Sequence, residues 1–382
     1  MKLKKIVLIG PTYPYKGGIA HYTGLLYHTL IKKYEVNIFS FKMQYPRFLY
    51  PGKEQIDFSD SRFKTKNTLY SINSINPLSW ITTAVKIVKC KPELLIIPWW
   101  NPFFGICFRI IAGIVKLLSG CKVLFICHNV LPHERIPFQK FLTKLALVKG
   151  DYKIVHSKED EQKLLCLLPK SQYRRHVHPT YNIFKNEGLT KDKARENLAI
   201  HESSKVLLFF GFVREYKGLI YLIQALPVII KSINNVKLHV VGEFFYDKDR
   251  YIDEIARLGL TDYIEIFDNY IPDHEVGNYF TASDLVVLPY TSATQSGIVQ
   301  IAYGFYKPVI VSNVGGLPEV VEHKSTGYIV EPENSEQIAF SVIDFFQRDN
   351  QVKFTENIKK QEKKYSWDRL VETIEDLGNM KK

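Results

Sequence analysis

The sequence predicts an α/β protein of two domains, each a doubly wound parallel sheet covered by helices. Three observations carry this. The chain has 382 residues, more than one ordinary core absorbs. Short apolar runs alternate with helical patterns along its length, as buried parallel strands and their crossover helices do. The rhythm starts twice, and the polar stretch 181–199 between the two series has no strand pattern.

In the first half, strands are expected at 5–9, 35–39, 94–97, 122–127 and 153–156, with helices beginning near Ile19, Ile81, Phe103, Pro137 and Lys158. In the second half they are expected at 206–210, 237–241, 264–267, 285–288, 308–311 and 327–330. The first ten residues start basic but carry only a short apolar stretch, which suits a first strand better than a signal peptide. The run 94–118 is interrupted by Pro98, Asn101, Pro102, Arg109 and Lys116. It therefore reads as a strand, a loop at Trp99–Pro102 and an apolar helix rather than a membrane span.

Composition narrows the function. With 46% hydrophobic and 24% charged residues, the chain is globular rather than disordered. Its five cysteines are odd in number and form no C-x-x-C pair. That argues against disulfides and structural zinc, and points to a reducing, cytoplasmic compartment. Residues 1–183 hold 28 Lys and Arg against 10 Asp and Glu, whereas 184–382 hold 23 against 29. A basic half attracts phosphate groups, including those of an anionic membrane surface. Nucleic acid is not expected, because the lysines are scattered and no nucleic-acid module is present.

Ligands of open α/β sheets bind beyond the carboxyl ends of the strands, where helix N-termini accept phosphate. Four loops of this chain lie there. The first runs from Gly10 through Gly17-Gly18 to His21, and its paired glycines let backbone N–H groups approach a ligand. The second is His128-Asn129 through His133-Glu134, directly after a strand. The third, Gly211 to Gly218, places Arg214 and Lys217 ahead of a helix as a pyrophosphate clamp. The fourth opens a helix with Thr294-Gln295-Ser296-Gly297-Ile298 and carries Gln300. Its hydroxyls, amides and free N–H groups suit a sugar and a phosphate. Beyond it, Lys307-Pro308-Val309 leads to Gly315-Gly316-Leu317-Pro318-Glu319.

These motifs resemble the retaining GT-B glycosyltransferases of family 4, along nearly the whole chain. The resemblance implies two Rossmann-like domains facing a cleft. Residues 1–183 would bind the acceptor and 184–362 the nucleotide-sugar donor, with 363–382 a helix crossing back to the first domain after Tyr365-Ser-Trp367. It implies catalytic roles for His128, Arg214 and Lys217. Donor contacts would come from Gly17, Gly18, Gly211, Asn269 and the 294–300 segment: Thr294, Gln295, Ser296, Gly297, Ile298 and Gln300. Acceptor contacts would come from His21, Trp99, Trp100 and Asn129. The chain departs from the family in its paired glutamates: counting back from Lys307-Pro308 places them at Ala293 and Ile301. The local sequence is similar instead to the bacterial glycogen synthase form of this helix.

The activity implied is metal-independent hexosyl transfer, with retention, in cell-surface polysaccharide synthesis. No cofactor is implied. The acceptor would be a glycan or a polyprenyl-pyrophosphate-linked sugar, met by a cytoplasmic enzyme lying peripherally on the inner membrane face. Asp247-Lys-Asp249 is a D-x-D, but it sits in a highly charged stretch without a flanking buried strand and reads as surface rather than as a metal site. Two alternatives share the architecture. A hydrolysing nucleotide-sugar epimerase needs acid–base carboxylates, and a non-catalytic sugar-binding relative would not need to keep Lys217, Arg214 and His128.

Overall fold

The computed structural model describes residues 3–49, 54–59, 61–132, 137–245 and 247–379. The chain divides into two units. One comprises residues 1–177 and 366–382, the other 178–365.

The first unit is built on a seven-stranded parallel sheet of order β3-β2-β1-β4-β5-β6-β7. Its strands are β1 (Lys5–Ile9), β2 (Glu35–Met43), β3 (Thr68–Asn73), β4 (Leu94–Trp99), β5 (Lys122–Cys127), β6 (Tyr152–Val155) and β7 (Gln172–Arg175). Its crossovers are α1 (Gly18–Leu30), α2 (Pro77–Lys89), α3 (Gly105–Ser119), α4 (Gln139–Leu147) and α5 (Lys158–Leu167). β4 is buried at every position, although Pro98 cannot donate to a ladder. The reason lies in the register: β1 pairs with β4 only as far as Leu8 opposite Ile96, so Pro98 lies beyond the last β1 pair.

The second unit has a six-stranded parallel sheet of order β10-β9-β8-β11-β12-β13. These are β8 (Lys205–Phe210), β9 (Val236–Val241), β10 (Ile264–Phe267), β11 (Leu285–Leu288), β12 (Val309–Ser312) and β13 (Gly327–Val330). The helices are α6 (Lys191–Asn197), α7 (Leu219–Ser232), α8 (Lys248–Arg257), α9 (Val276–Ala282), α10 (Gly297–Gly304), α11 (Leu317–Val320), α12 (Ser335–Gln347) and α13 (Asn350–Lys360). A last helix, α14 (Trp367–Asn379), belongs to the first unit, where it packs on α1.

Both sheets reverse their strand order once, between β1 and β4 and between β8 and β11. Each reversal opens a crevice at the carboxyl ends of the strands. In the first unit, α2, α3 and α4 cover one face of the sheet, with Ala84, Ile87, Phe108, Ile111 and Leu147 in a common core. The other face is closed by α1 and α14 through Tyr22, Leu26, Leu370 and Ile374.

Two strands are absent from the sequence reading. β3 and β7 are the sheet's outer strands, and β7 is Gln-Tyr-Arg-Arg. An edge strand is half solvated and need not be apolar. Trp99, expected in a loop, ends β4 instead.

Candidate functional site

In the second unit, the crevice between β8 and β11 gathers the cationic loop and the α10 amino end. β8 runs into Gly211, whose φ of 96° suits glycine. A Cβ there would stand 3.0 Å from the Lys217 Nζ and 3.4 Å from Ile298. The chain then turns through Arg214 and one 3₁₀ turn, Glu215–Lys217, to Gly218 and α7. Lys217 is buried, with its ammonium 5.7 Å from the centroid of the Tyr290 ring. The Tyr290 hydroxyl in turn lies 3.4 Å from the Ser296 Oγ. Ser296 caps α10 by accepting from the Val299 N–H. Lys217, Gly211, Tyr290, Ile298 and Ser296 thus form one constellation.

Its electrostatics are unusual. Burial pushes the Lys217 ammonium down to about 7, and the Arg214 charge pushes the same way. No carboxylate acts on Lys217 among the described residues. Arg214 packs its guanidinium 4.5 Å from the centre of the Phe245 ring, a cation–π contact that keeps it beside Lys217. An uncompensated buried cation next to a second cation and a helix amino end is a place prepared for an anion.

Within α10, Gln300 is 1% exposed, and neither atom of its amide has a hydrogen-bond partner. Such a group costs about 1–3 kcal/mol until it is satisfied. Thr294 is buried, and its carbonyl accepts from the Gly316 N–H at 2.9 Å, which ties this loop to the Gly315-Gly316 turn. Gln295 is half-buried and Gly297 exposed. Asn269 is exposed just past β10. Ala293 and Ile301, where the family's glutamates would fall, are both buried. Lys307 is structural: its ammonium donates to the carbonyls of Thr281 and Ser283 at 3.0 and 2.6 Å.

In the first unit, His128 follows β5 directly and donates its backbone N–H to the Trp99 carbonyl at 2.8 Å. Its ring stands edge-on to Tyr22, with centroids 4.4 Å apart at 90°. Tyr22 also reaches His156 and packs against Trp367. Asn129 is half-buried. Val130 donates to the buried carboxyl of Asp160, which fixes the loop, and burial pushes Asp160 up to about 6. His133 and Glu134 lie outside the described residues. Gly17 precedes α1 with a φ of 98°, and neither Gly17 nor Gly18 has a neighbour where a Cβ would stand. His21 lies against Phe63.

The two tryptophans expected to meet the acceptor are held by the protein's own groups. Trp99 is fully buried and donates its indole N–H to the Val130 carbonyl. Trp100 is half-buried, bonded to the Tyr45 hydroxyl and packed on Phe104. Trp99 is a core residue because β4 continues to position 99 and carries it under the 128–130 loop, whereas Trp100 packs at the edge of that core. Sequence reasoning missed Tyr290, Tyr22 and Phe245, the rings that hold Lys217, His128 and Arg214. Their one signal is an aromatic residue beside each glycine-rich loop.

Among the described residues, no three His, Cys, Asp or Glu side chains group as metal ligands. Asp247 and Asp249 sit at the amino end of α8, where they complement the helix dipole. A groove of about 670 Å³ beside Tyr152, Leu168 and Gln172 opens at the amino ends of β6 and β7, away from these loops.

Comparison with known proteins bears on the second unit most directly. Residues 190–365 match the glycosyl transferases group 1 family. This group 1 segment contains the Lys217–Ser296 constellation. Among curated relatives, an uncharacterized glycosyltransferase of Methanocaldococcus jannaschii is 30% identical over 47% of this chain and 46% of its own. Lipopolysaccharide 1,2-N-acetylglucosaminetransferase of Salmonella typhimurium is 30% identical over 49% of this chain and 51% of its own. The chain thus spans about half the length of the curated relatives it matches.

Solved structures extend the likeness beyond the group 1 segment. Sucrose-phosphate synthase of Thermosynechococcus elongatus superposes with a TM-score of 0.71 at 17% identity, covering 98% of each chain. The Anabaena HepE protein in complex with UDP gives 0.72 at 17% identity, covering 97% of this chain and all of that one. These neighbours identify the fold as GT-B.

Proposed function

We propose that the protein is a glycosyltransferase that takes a sugar from a nucleotide-sugar donor, with retention of anomeric configuration and without a metal. The acceptor is a glycan or a polyprenyl-pyrophosphate-linked sugar of cell-surface polysaccharide synthesis. One observation carries the reading: Lys217 is a buried ammonium without a carboxylate to offset it, beside Arg214 and the amino end of α10. A departing nucleoside diphosphate supplies the missing negative charge. Lys217 and Arg214 stabilise that charge as the glycosidic bond breaks, and the α10 N–H groups add their dipoles. Gln300 supplies an amide that the protein itself leaves unsatisfied, and the nucleotide ribose is its partner. His128 positions the transferred sugar. The complex of HepE with UDP is consistent with a uridine nucleotide.

The experiment is a thermal-shift screen of nucleotide sugars, followed by product analysis with a lipid-linked acceptor. A bound donor raises the melting temperature, and the product retains the donor's configuration. Stabilisation by none of the donors, or an inverted product, overturns the reading. Excess chelator is expected to leave transfer unchanged. Activity lost to chelator and restored by manganese contradicts metal independence.

Donor binding will also depend on pH. Lys217 falls to about 7 in the free protein, so above that value a growing fraction is neutral and cannot pair with a diphosphate. Binding must then recruit a proton, and affinity for UDP falls as pH rises above 7, approaching roughly tenfold per unit. Calorimetry in buffers of different ionisation enthalpy reads the proton uptake directly. A constant affinity between pH 6 and 9 (with no uptake) contradicts the assignment.

A further inference from the structure

The groove at the amino ends of β6 and β7 encloses about 670 Å³, room for a small organic molecule. It lies at the opposite end of the parallel sheet from the His128 loop, which follows the carboxyl end of β5. Two helices end beside it. Val148 closes α4, and Leu167 and Leu168 close α5. All three line the groove and make its sides apolar.

Its polar groups are incompletely satisfied. β6 is buried at all four positions, Tyr152-Lys-Ile-Val155, and a lysine in such a strand is costly unless it is paired. Lys153 is 4% exposed and lines the groove. Its ammonium makes a single hydrogen bond, to the Gly150 carbonyl at 2.8 Å, although it has three donors. Burial pushes it below the ordinary lysine value. Asp151 offsets the charge only in part, because its carboxylate already pairs with Lys116 at 2.6 Å and accepts the Val123 N–H at 2.9 Å. Ser171 lines the same groove with a buried hydroxyl that has no hydrogen-bond partner among the described residues. Lys144 and Lys170 are exposed at its rim.

We propose that this groove binds a small phosphate monoester with a compact apolar or aromatic body. The phosphate meets Lys153, Ser171 and the rim lysines, and the body lies against Val148, Leu167 and Leu168. The groups left over are donors, which fit a ligand whose charged end only accepts. Three ammonium groups answer a dianionic phosphate better than a singly charged carboxylate, and the apolar sides favour an organic ester over inorganic phosphate. This is a second site rather than a substrate site. Substrate loops in such sheets lie at the carboxyl ends of the strands, and this groove lies at the amino ends. It is also separate from donor chemistry, because the Lys217 constellation belongs to the other unit.

The test is titration calorimetry of the full chain with phenyl phosphate. Inorganic phosphate and benzyl alcohol, each carrying one half of that probe, should bind at least about tenfold more weakly. Lys153→Met keeps the volume of the stem and removes the charge, and it should weaken phenyl phosphate at least about tenfold. Ser171→Ala should weaken it about fivefold; it removes a single oxygen, so it keeps the test open should Lys153→Met fail to fold. A cooperative thermal transition in each variant reports the fold. Lys217→Met should bind phenyl phosphate as the parent does, which separates this groove from the donor constellation. Four results overturn the proposal: no binding by the parent, Lys153→Met and Ser171→Ala that both bind as tightly as the parent, inorganic phosphate binding as tightly as the ester, or binding lost in Lys217→Met and kept in Lys153→Met.

Discussion

Replacing Lys217 by methionine will abolish sugar transfer while raising the stability of the protein. The two halves of this result have one cause. Methionine fills the space of the lysine stem beside Gly211 and Tyr290 without burying a charge. Turnover is expected to fall at least ~10²-fold, the loss typical of removing one group aimed at developing negative charge. Stability is expected to rise by about 1–3 kcal/mol, as when a buried ionic group gives way to a hydrophobe. The sign of the pH dependence follows from the depressed lysine. Between about 7 and the ordinary value of 10.5 the unfolded chain binds the proton more tightly than the native one, so native stability rises with pH across that window. The penalty is therefore full below 7, where the gain from methionine is largest, and it fades toward 10.5. Thermal denaturation at pH 6.5 and 9.5, with transfer assays on the same samples, reads both effects. A variant that turns over normally contradicts the assigned role. One that loses activity together with its fold would make Lys217 merely structural.

Gly218→Ala will be among the most damaging single changes in the second unit. Gly218 sits at a φ of 66°, and a Cβ there would run into the carbonyl of Pro289, a backbone group that cannot rotate away. The same contact joins the cationic loop to the loop after β11, whose Thr291 N–H donates to the Tyr216 carbonyl at 2.8 Å. A left-handed alanine alone costs about 1–2 kcal/mol. The clash must move one of two loops that position Lys217, so a total of roughly 3–5 kcal/mol is expected, with loss of UDP binding. Gly259 isolates the two contributions. It has the same φ of 66° with nothing within 4 Å of its Cβ position, so Gly259→Ala should show the backbone cost alone and bind UDP normally. Equal melting temperatures for the two variants would show that the loops are not packed as described.

How much of this could be read in advance depended on burial. All six strands of the second sheet were legible: the inner ones are short apolar runs, such as Leu285–Leu288, buried on both faces, and the edge strand Ile264–Phe267 still alternates as Ile-Glu-Ile-Phe. In the first sheet β3 and β7 were not, since Thr68–Asn73 and Gln172–Arg175 take their order from a neighbour rather than from their own side chains. The loops bearing Lys217 and Ser296 were found from their place after a strand. Their electrostatics were not, because the isolation of Lys217 from carboxylates is a fact of three-dimensional surroundings. Trp99 misled for a related reason. Pro98 reads as a strand breaker, and only the β1–β4 register shows why the strand survives it.

A crystal structure of the protein soaked with UDP would test the central claim most directly. The diphosphate should lie within about 3 Å of the Lys217 Nζ and against the first N–H groups of α10, with the Gln300 amide bonded to the nucleotide. Ordered UDP with its phosphates elsewhere, and Lys217 left buried without an anion, would contradict it.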